Sequence, residues 1–135
     1  MNEQLSKHFR RDEFACRCGC GFAAVSPDLV AGLEQLRDQV GKPVMVLSGC
    51  RCAAHNAAAG GARNSQHVKG QAVDIRVCGM TARELYTEAS AIGGFRGFGL
   101  DEERGFLHVD VRSEPTRWCY AGGKTVGWKS EAKNA

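Results

Sequence analysis

Three residues of types that bind metal ions, His67, Asp74 and His108, are the most informative feature of this sequence. Asp74 lies in QAVDIRV at 71–77, where apolar and polar side chains alternate as in a strand with one buried face. His108 lies in FLHVDVR at 106–112, which alternates in the same way. If the two strands are neighbours, Asp74 and His108 lie on one surface, and His67 can reach it from the preceding loop.

Two histidines and one carboxylate are typical ligands of a catalytic zinc ion, because three protein ligands leave a fourth position for water. A structural zinc ion usually has four protein ligands. Each residue taken alone is more often a surface or hydrogen-bonded residue, but together they share one polar face. The residues therefore allow a catalytic zinc ion on His67, Asp74 and His108, and ordinary surface or hydrogen-bonding roles remain the alternative.

Two helices are predicted from capping residues and apolar spacing. Ser26, followed by a proline, is an N-cap for a helix over 27–40, whose apolar residues recur at helical spacing until a glycine ends it. Thr81 and Glu84 form a capping box for a second helix that runs to about Ile92.

The remaining segments indicate the fold class. PVMVLSG at 43–49 predicts a buried strand, and GFGL at 97–100 predicts a strand that a charged turn joins to GFLHVDVR at 105–112. A short helix is predicted over 53–59. Because strands and helices do not alternate regularly, we predict an α+β fold with a mostly antiparallel sheet flanked by helices.

Composition indicates a globular protein, with 43% hydrophobic and 24% charged residues among 135. We expect a single domain over 1–135, with an irregular cysteine-containing lead-in over 1–25 and a frayed tail over 129–135. The net charge is only +3 and the basic residues are scattered, which does not favour a nucleic-acid partner. No segment approaches the roughly 20 apolar residues of a membrane span, so we expect no membrane insertion, and nothing demands more than a monomer.

Seven cysteines, an odd number, do not favour a full disulfide framework. Cys16, Cys18 and Cys20 lie too close together for a pair of ordinary CxxC zinc knuckles. They could pack a glycine-rich turn as small half-buried thiols, which is the interpretation we favour, or bind a structural zinc ion completed by a distant cysteine. A metal-bound interaction element is a third alternative. Cys78 and Cys119 could form a disulfide, but one sequence does not reveal connectivity.

A family pattern runs through four segments: SGCR at 48–51, HNAAAGGARNSQHVKGQAVDI at 55–75, GFLHVDVR at 105–112 and RW at 117–118. They resemble the zinc D-Ala-D-Ala carboxypeptidase-like metallopeptidases, especially the small phage and bacterial branch. The wider group includes D,D-dipeptidases, phage L-alanyl-D-glutamate endopeptidases and the hedgehog signalling domain. The resemblance covers most of residues 9–120, and its His-x6-Asp and later His-x-Asp spacings are a specific signal.

The resemblance implies a hedgehog/DD-peptidase-like fold and one zinc ion on His67, Asp74 and His108. It also implies hydrolysis of a peptide bond in the stem peptide of bacterial peptidoglycan, of D-Ala-D-Ala carboxypeptidase or murein endopeptidase (endolysin) type. The polar start of the chain does not resemble a signal peptide. We therefore expect synthesis in the cytoplasm and action on the cell wall after release or delivery.

Substrate-binding residues are implied by the same resemblance. Arg51 stands where the family has the arginine of its SGYR motif, so it would bind and polarise the substrate with paired donors. The alternative for Arg51 is a surface salt bridge. Ser65 and Gln66 could donate or accept hydrogen bonds from the peptide, or could stabilise their loop.

The catalytic base is less evident, because several relatives have an acidic residue where this chain has Gly105. Asp110 is our first candidate, either to accept a proton or to orient a neighbouring ligand. Glu102, six residues before His108, resembles in position a glutamate near the zinc of hedgehog domains, but it could be a solvated turn charge. The missing acid leaves an alternative function, a catalytically inactive zinc-binding module with a structural or interaction role.

Overall fold

A computed structural model describes residues 3–20, 23–52, 56 and 65–130. It has an α+β architecture, as predicted. The described elements are a 3-10 helix at Arg11–Phe14, helices α1 (Pro27–Val40) and α2 (Ala82–Ser90), and strands β1 (Met45–Ser48), β2 (Ala72–Arg76), β3 (Gly97–Asp101), β4 (Phe106–Asp110), β5 (Thr116–Ala121) and β6 (Lys124–Val126).

The sheet is mixed rather than purely antiparallel. Its strand order is β1-β2-β4-β3-β5-β6, and every neighbouring pair is antiparallel except β3 and β5. β4 ends at the edge of the sheet where β3 begins, and the chain crosses this edge before β5 starts. β5 therefore runs parallel to β3, with Thr116 opposite Gly97. β5 and β6 lie outside the segments predicted as strands.

Both predicted helices form with the predicted caps. The Ser26 side chain accepts the backbone N–H of Leu29, and Gly41 ends α1 with a left-handed φ of 68°. Thr81 and Glu84 form the reciprocal capping box of α2, which ends two residues earlier than predicted.

The core lies on one face of the sheet, where β2 and β4 contribute fully buried aliphatic side chains and the helices cover them. These side chains belong to Val73, Ile75, Leu107 and Val109. Because side chains alternate along a strand, the residues between them point to the opposite face. The burial of the aliphatic face therefore determines which residues the other face presents.

One strand prediction is changed, and two other predictions lie wholly or mostly outside the described residues. The segment 43–49 was predicted to be buried, but β1 has only β2 as a described neighbour, and Met45 is 45% exposed. Within the lead-in, Arg11–Phe14 form the 3-10 helix, and Phe9 and Phe14 are buried in the core. The predicted helix over 53–59 lies outside the described residues apart from position 56, as does most of the predicted frayed tail. Among the described residues, no helix has the length and apolarity that crossing a membrane requires.

Candidate metal centre

Asp74 and His108 lie directly opposite each other in the antiparallel pair of β2 and β4. Asp74 Oδ1 lies 3.2 Å from His108 Nδ1 and also 3.2 Å from His67 Nε2. His67 lies in the turn before β2. Gly70 closes this turn, because it adopts a φ of 70° and its backbone N–H donates to the His67 carbonyl oxygen. All three side chains are buried. The structure thus brings the three predicted metal ligands together.

Each histidine uses its other ring nitrogen to bind a hydrogen-bond acceptor. His67 Nδ1 donates to the carbonyl oxygen of Gly49 at 2.7 Å, and His108 Nε2 donates to Asp110 Oδ2 at 2.7 Å. These acceptors assign a proton to the outer nitrogens and leave lone pairs on the inner nitrogens. Two nitrogen lone pairs then face the Asp74 carboxylate, and these electron-rich groups repel one another. A cation between them, either a proton or a metal ion, makes the arrangement favourable.

The spacing of the three donor atoms fits zinc. Zinc–nitrogen and zinc–oxygen bonds of about 2.0–2.1 Å in a tetrahedral shell separate neighbouring ligand atoms by about 3.3 Å. The two 3.2 Å distances match this value, and all three atoms lie within 4.8 Å of one another. Three protein ligands leave a fourth position for water or substrate.

The electrostatics of the metal-free group favour a bound cation. Burial raises the pKa of Asp74, but hydrogen bonds from His108 and His67 outweigh burial and hold this pKa well below its usual range. Burial lowers the pKa of His108, but the carboxylates of Asp110 and Asp74 outweigh burial and raise it. Without metal, a proton on His108 therefore balances part of the negative charge.

Two glycines of β3 make room for the groups beside His108. Gly97 lies opposite Asp110, and a Cβ atom at Gly97 would collide with the Asp110 carboxylate. Gly99 lies opposite His108, and a Cβ atom there would be 2.7 Å from Trp118 Nε1. The Trp118 ring packs against the His108 ring at a centroid distance of 5.1 Å. Alternate glycines in β3 therefore allow neighbouring strands to support His108 from the side.

Arg51 lies beside the three candidate ligands. Its Nη2 atom is 3.6 Å from Asp74 Oδ2, and its Nη1 atom donates to Asn56 Oδ1 at 3.2 Å. The Arg51 backbone N–H donates to the carbonyl oxygen of His67 at 3.1 Å. The side chain is only 16% exposed, so this contact differs from an ordinary surface salt bridge. Asn56 therefore helps to orient the guanidinium.

Ser65 and Gln66 differ in the contacts that they make. The Ser65 hydroxyl accepts the backbone N–H of His67 at 3.2 Å, which is the loop-stabilising alternative. Gln66 Oε1 is buried and has no hydrogen-bond partner among the described residues. A buried amide oxygen without a donor is unfavourable, so a substrate N–H would find a ready acceptor there.

Asp110 lies behind His108 rather than on the inner side of the three ligands. Its carboxylate is fully buried and also binds the Arg112 guanidinium, with Arg112 Nη2 at 2.7 Å from Oδ2. Burial raises the pKa of Asp110, but hydrogen bonds from His108 and Arg112 outweigh burial and hold it well below its usual range. A carboxylate of such low pKa is a weak proton acceptor. This position favours the orienting role predicted for Asp110.

Glu102 and Gly105 lie in the turn between β3 and β4. Both carboxylate oxygens of Glu102 bind the Arg83 guanidinium of α2, at 2.9 and 3.0 Å, and this pairing lowers the Glu102 pKa. The contact does not favour the proton-transfer role predicted for Glu102. Gly105 has a φ of 75°, a conformation in which an acidic residue would be strained.

Aromatic residues of β5 lie beside the candidate centre. Trp118 and Tyr120 are on the same face as His108, and their rings contact each other at 6.3 Å. Burial, together with the negative charge of Asp74, raises the pKa of Tyr120 to about 12. The phenol therefore stays protonated at neutral pH and can donate a hydrogen bond. Trp128, by contrast, packs on Tyr86 of α2.

Several supporting groups were missed from the sequence: the Gly49 carbonyl, Asn56, and the two glycines of β3. The sequence could have indicated both glycines. If GFGLD at 97–101 and FLHVD at 106–110 pair as a hairpin across the four-residue turn, Gly97 lies opposite Asp110 and Gly99 lies opposite His108. The Gly49 carbonyl has no sequence signal, since every residue has a carbonyl group.

A comparison with protein families agrees with the geometry. A family model described as Peptidase M15 matches residues 7–110, which include all three candidate ligands and Arg51. The resemblance to zinc D-Ala-D-Ala carboxypeptidase-like peptidases is therefore confirmed at the level of the family. No curated protein matches the chain.

Replacing Gly97 with alanine tests the support behind His108. The added methyl group collides with the Asp110 carboxylate, so we expect a loss of about 1–3 kcal/mol in the free energy of unfolding, together with weaker zinc binding. Gly93→Ala is the matched control, because a Cβ atom at Gly93 has no neighbour within 4 Å. Urea unfolding and zinc titration measure both effects, and equal behaviour of the two variants would contradict the packing described.

The pH dependence of zinc affinity tests the protonation of His108. Zinc must displace a proton from a group whose pKa is raised, so affinity should rise by up to about tenfold per pH unit until that pKa is passed. The Asp110→Asn variant removes a negative charge that raises this pKa, so its profile should move to lower pH. Competition with a chromophoric chelator at a series of pH values measures the affinity. If the wild type and Asp110→Asn showed the same dependence of zinc affinity on pH, a link between His108 protonation and zinc binding would be excluded.

Proposed function

The chain belongs to the Peptidase M15 family, and we propose that it is a zinc-dependent peptidase that hydrolyses a peptide bond in bacterial peptidoglycan. The observation that carries the proposal is the convergence of His67 Nε2 and His108 Nδ1 on one oxygen of Asp74, each at 3.2 Å. A zinc ion held by these atoms would supply Lewis-acid polarisation of a carbonyl group and a water of lowered pKa. We expect the protein to reach its substrate after release or delivery to the cell wall.

Arg51 would bind the substrate next to the metal ligands. Its guanidinium is held by Asn56 and by Asp74 Oδ2, so little orientational freedom is lost when a substrate binds. Paired N–H donors suit either a terminal carboxylate, as in a carboxypeptidase, or the oxygen of the scissile carbonyl, as in an endopeptidase. Gln66 Oε1 would accept an N–H group of the same peptide.

Basic and aromatic side chains extend the proposed binding face. The Arg104 guanidinium lies over the rings of Phe106 and Tyr120, at 5.1 and 5.9 Å, and Arg112 lies over Trp118 at 5.1 Å. Carboxylate groups of a peptidoglycan stem peptide would be attracted to these cations, and its aliphatic parts would pack on the rings. The protonated Tyr120 phenol could donate a hydrogen bond to a developing negative charge.

Asp110 would act through His108 rather than on the substrate. By accepting the Nε2 proton it keeps the Nδ1 lone pair directed toward the metal position. Arg112 and the space above Gly97 hold the carboxylate in this orientation. We therefore propose Asp110 as a positioning residue.

Loss of the metal should abolish hydrolysis. Purified sacculi incubated with the wild type should release new amino groups, and chelated protein or His67→Ala should release none above background. Restoring zinc should restore the chelated wild type but not the variant, which lacks one of three ligands. Mass spectrometry of the muropeptides identifies the bond that is cut. Hydrolysis by the metal-free protein would contradict the proposal.

The conservative change Arg51→Lys tests the paired donors. Lysine keeps the charge but cannot present two parallel N–H groups, so we expect kcat/KM to fall by about 10²–10³-fold with the zinc content unchanged. Arg37→Lys in α1 is the control for the same chemical change in another element. Unchanged kcat/KM in Arg51→Lys would mean that this guanidinium does not contact the reacting peptide.

A second candidate function is a zinc-binding module of the same family without catalysis. The observation that favours it is Gly105, which stands where several relatives have an acid, while Glu102 is paired with Arg83. Such a module would bind zinc through the same three ligands but release no amino groups from sacculi or from synthetic stem peptides. Zinc content and hydrolysis, measured on one preparation, separate the two functions.

A further inference from the structure

Four cysteine thiols meet at a second point in the molecule. Cys16 Sγ lies 3.4 Å from Cys18 Sγ and 3.9 Å from Cys52 Sγ, and Cys18 Sγ lies 3.6 Å from Cys52 Sγ. With Cys20 included, all four sulfur atoms lie within 4.8 Å of one another. Three of these residues belong to the lead-in, and Cys52 follows β1, 32 residues beyond Cys20 in the sequence.

We propose that Cys16, Cys18, Cys20 and Cys52 bind a second, structural zinc ion. Zinc–sulfur bonds of about 2.3 Å in a tetrahedral shell separate neighbouring sulfur atoms by about 3.8 Å. The observed separations of 3.4–3.9 Å bracket that value. Four thiolates close the shell and leave no position for water, which is the pattern of a structural site.

A disulfide explains the arrangement less well. A disulfide joins two sulfur atoms at about 2.05 Å and leaves the others without a role, whereas here three thiols are in mutual contact at van der Waals distances. Cys18 and Cys20 are exposed, so a metal ion can enter from solvent. Close packing of four potential anions is most favourable when a dication lies among them.

Hydrogen bonds to sulfur support the same conclusion. The Cys52 backbone N–H donates to Cys16 Sγ at 3.4 Å, an interaction that stabilises a thiolate. A zinc ion bound by the four sulfur atoms would replace their protons and retain the Cys52 N–H as a donor to Cys16 Sγ.

The position of this cluster suggests what the second ion would do. The Cys50 N–H donates to the Phe14 carbonyl oxygen at 2.8 Å, so the lead-in packs on the loop that follows β1. The same loop supplies the Gly49 carbonyl that orients His67, and it carries Arg51. A zinc ion that joins the lead-in to Cys52 would fix this loop and thereby the neighbouring candidate centre.

Metal stoichiometry tests the proposal without reference to activity. Wild-type protein, expressed with zinc and desalted under reducing conditions, should contain two zinc ions per chain. His67→Ala and Cys20→Ser should each contain one. Cys78→Ser is the matched control, since Cys78 is an exposed thiol outside the cluster, and it should retain two. Zinc content that falls to zero in His67→Ala, or that Cys20→Ser leaves unchanged, would overturn the proposal.

Cobalt substitution of the wild type provides a second measurement that needs no variant to fold. Co²⁺ bound by four thiolates gives strong sulfur-to-metal charge-transfer absorption and the visible bands of a tetrahedral site, and these should also appear in His67→Ala. Their absence from the wild type would overturn the proposal, as would a disulfide between two of the four cysteines that persists, in a peptide map of the wild type, under the same reducing conditions. Loss of the His67 site with the thiolate spectrum retained would affect only the proposed peptidase function.

Discussion

The candidate centre depends on the register between β2 and β4, which places Asp74 opposite His108. A shift of one residue would turn His108 toward the core and bring Leu107 or Val109 to the metal face. Such a shift would also expose aliphatic side chains that are fully buried, at a cost of roughly 1.5–3 kcal/mol for each large one. Hydrophobic burial behind the sheet therefore determines the position of the ligands in front of it.

The loop after β1 adds what the sheet alone does not provide. It supplies a carbonyl acceptor to His67, a guanidinium to Asp74, and the Cys52 thiol to the cysteine cluster. The lead-in packs against this loop through Phe14. One short segment thus connects the candidate ligands, the proposed substrate-binding residue and the lead-in.

Local patterns in the sequence were sufficient for the helices, their caps, and the faces of β2 and β4, because alternation and capping act over a few residues. Contacts between distant segments were not accessible in this way. The direction of Asp110 depends on the absence of a side chain at Gly97, and Glu102 is captured by Arg83 from another element. Cys52 joins the lead-in cysteines only through the tertiary fold. The parallel pairing of β5 likewise follows from how the chain passes the end of β3.

Anomalous diffraction at the zinc absorption edge, from crystals grown with zinc, examines the central claim most directly. The geometry predicts a peak bonded to His67 Nε2, Asp74 Oδ1 and His108 Nδ1, with Gly49 and Asp110 still accepting the outer imidazole protons. Crystals whose density shows these three side chains ordered, with no anomalous peak among them, would contradict it.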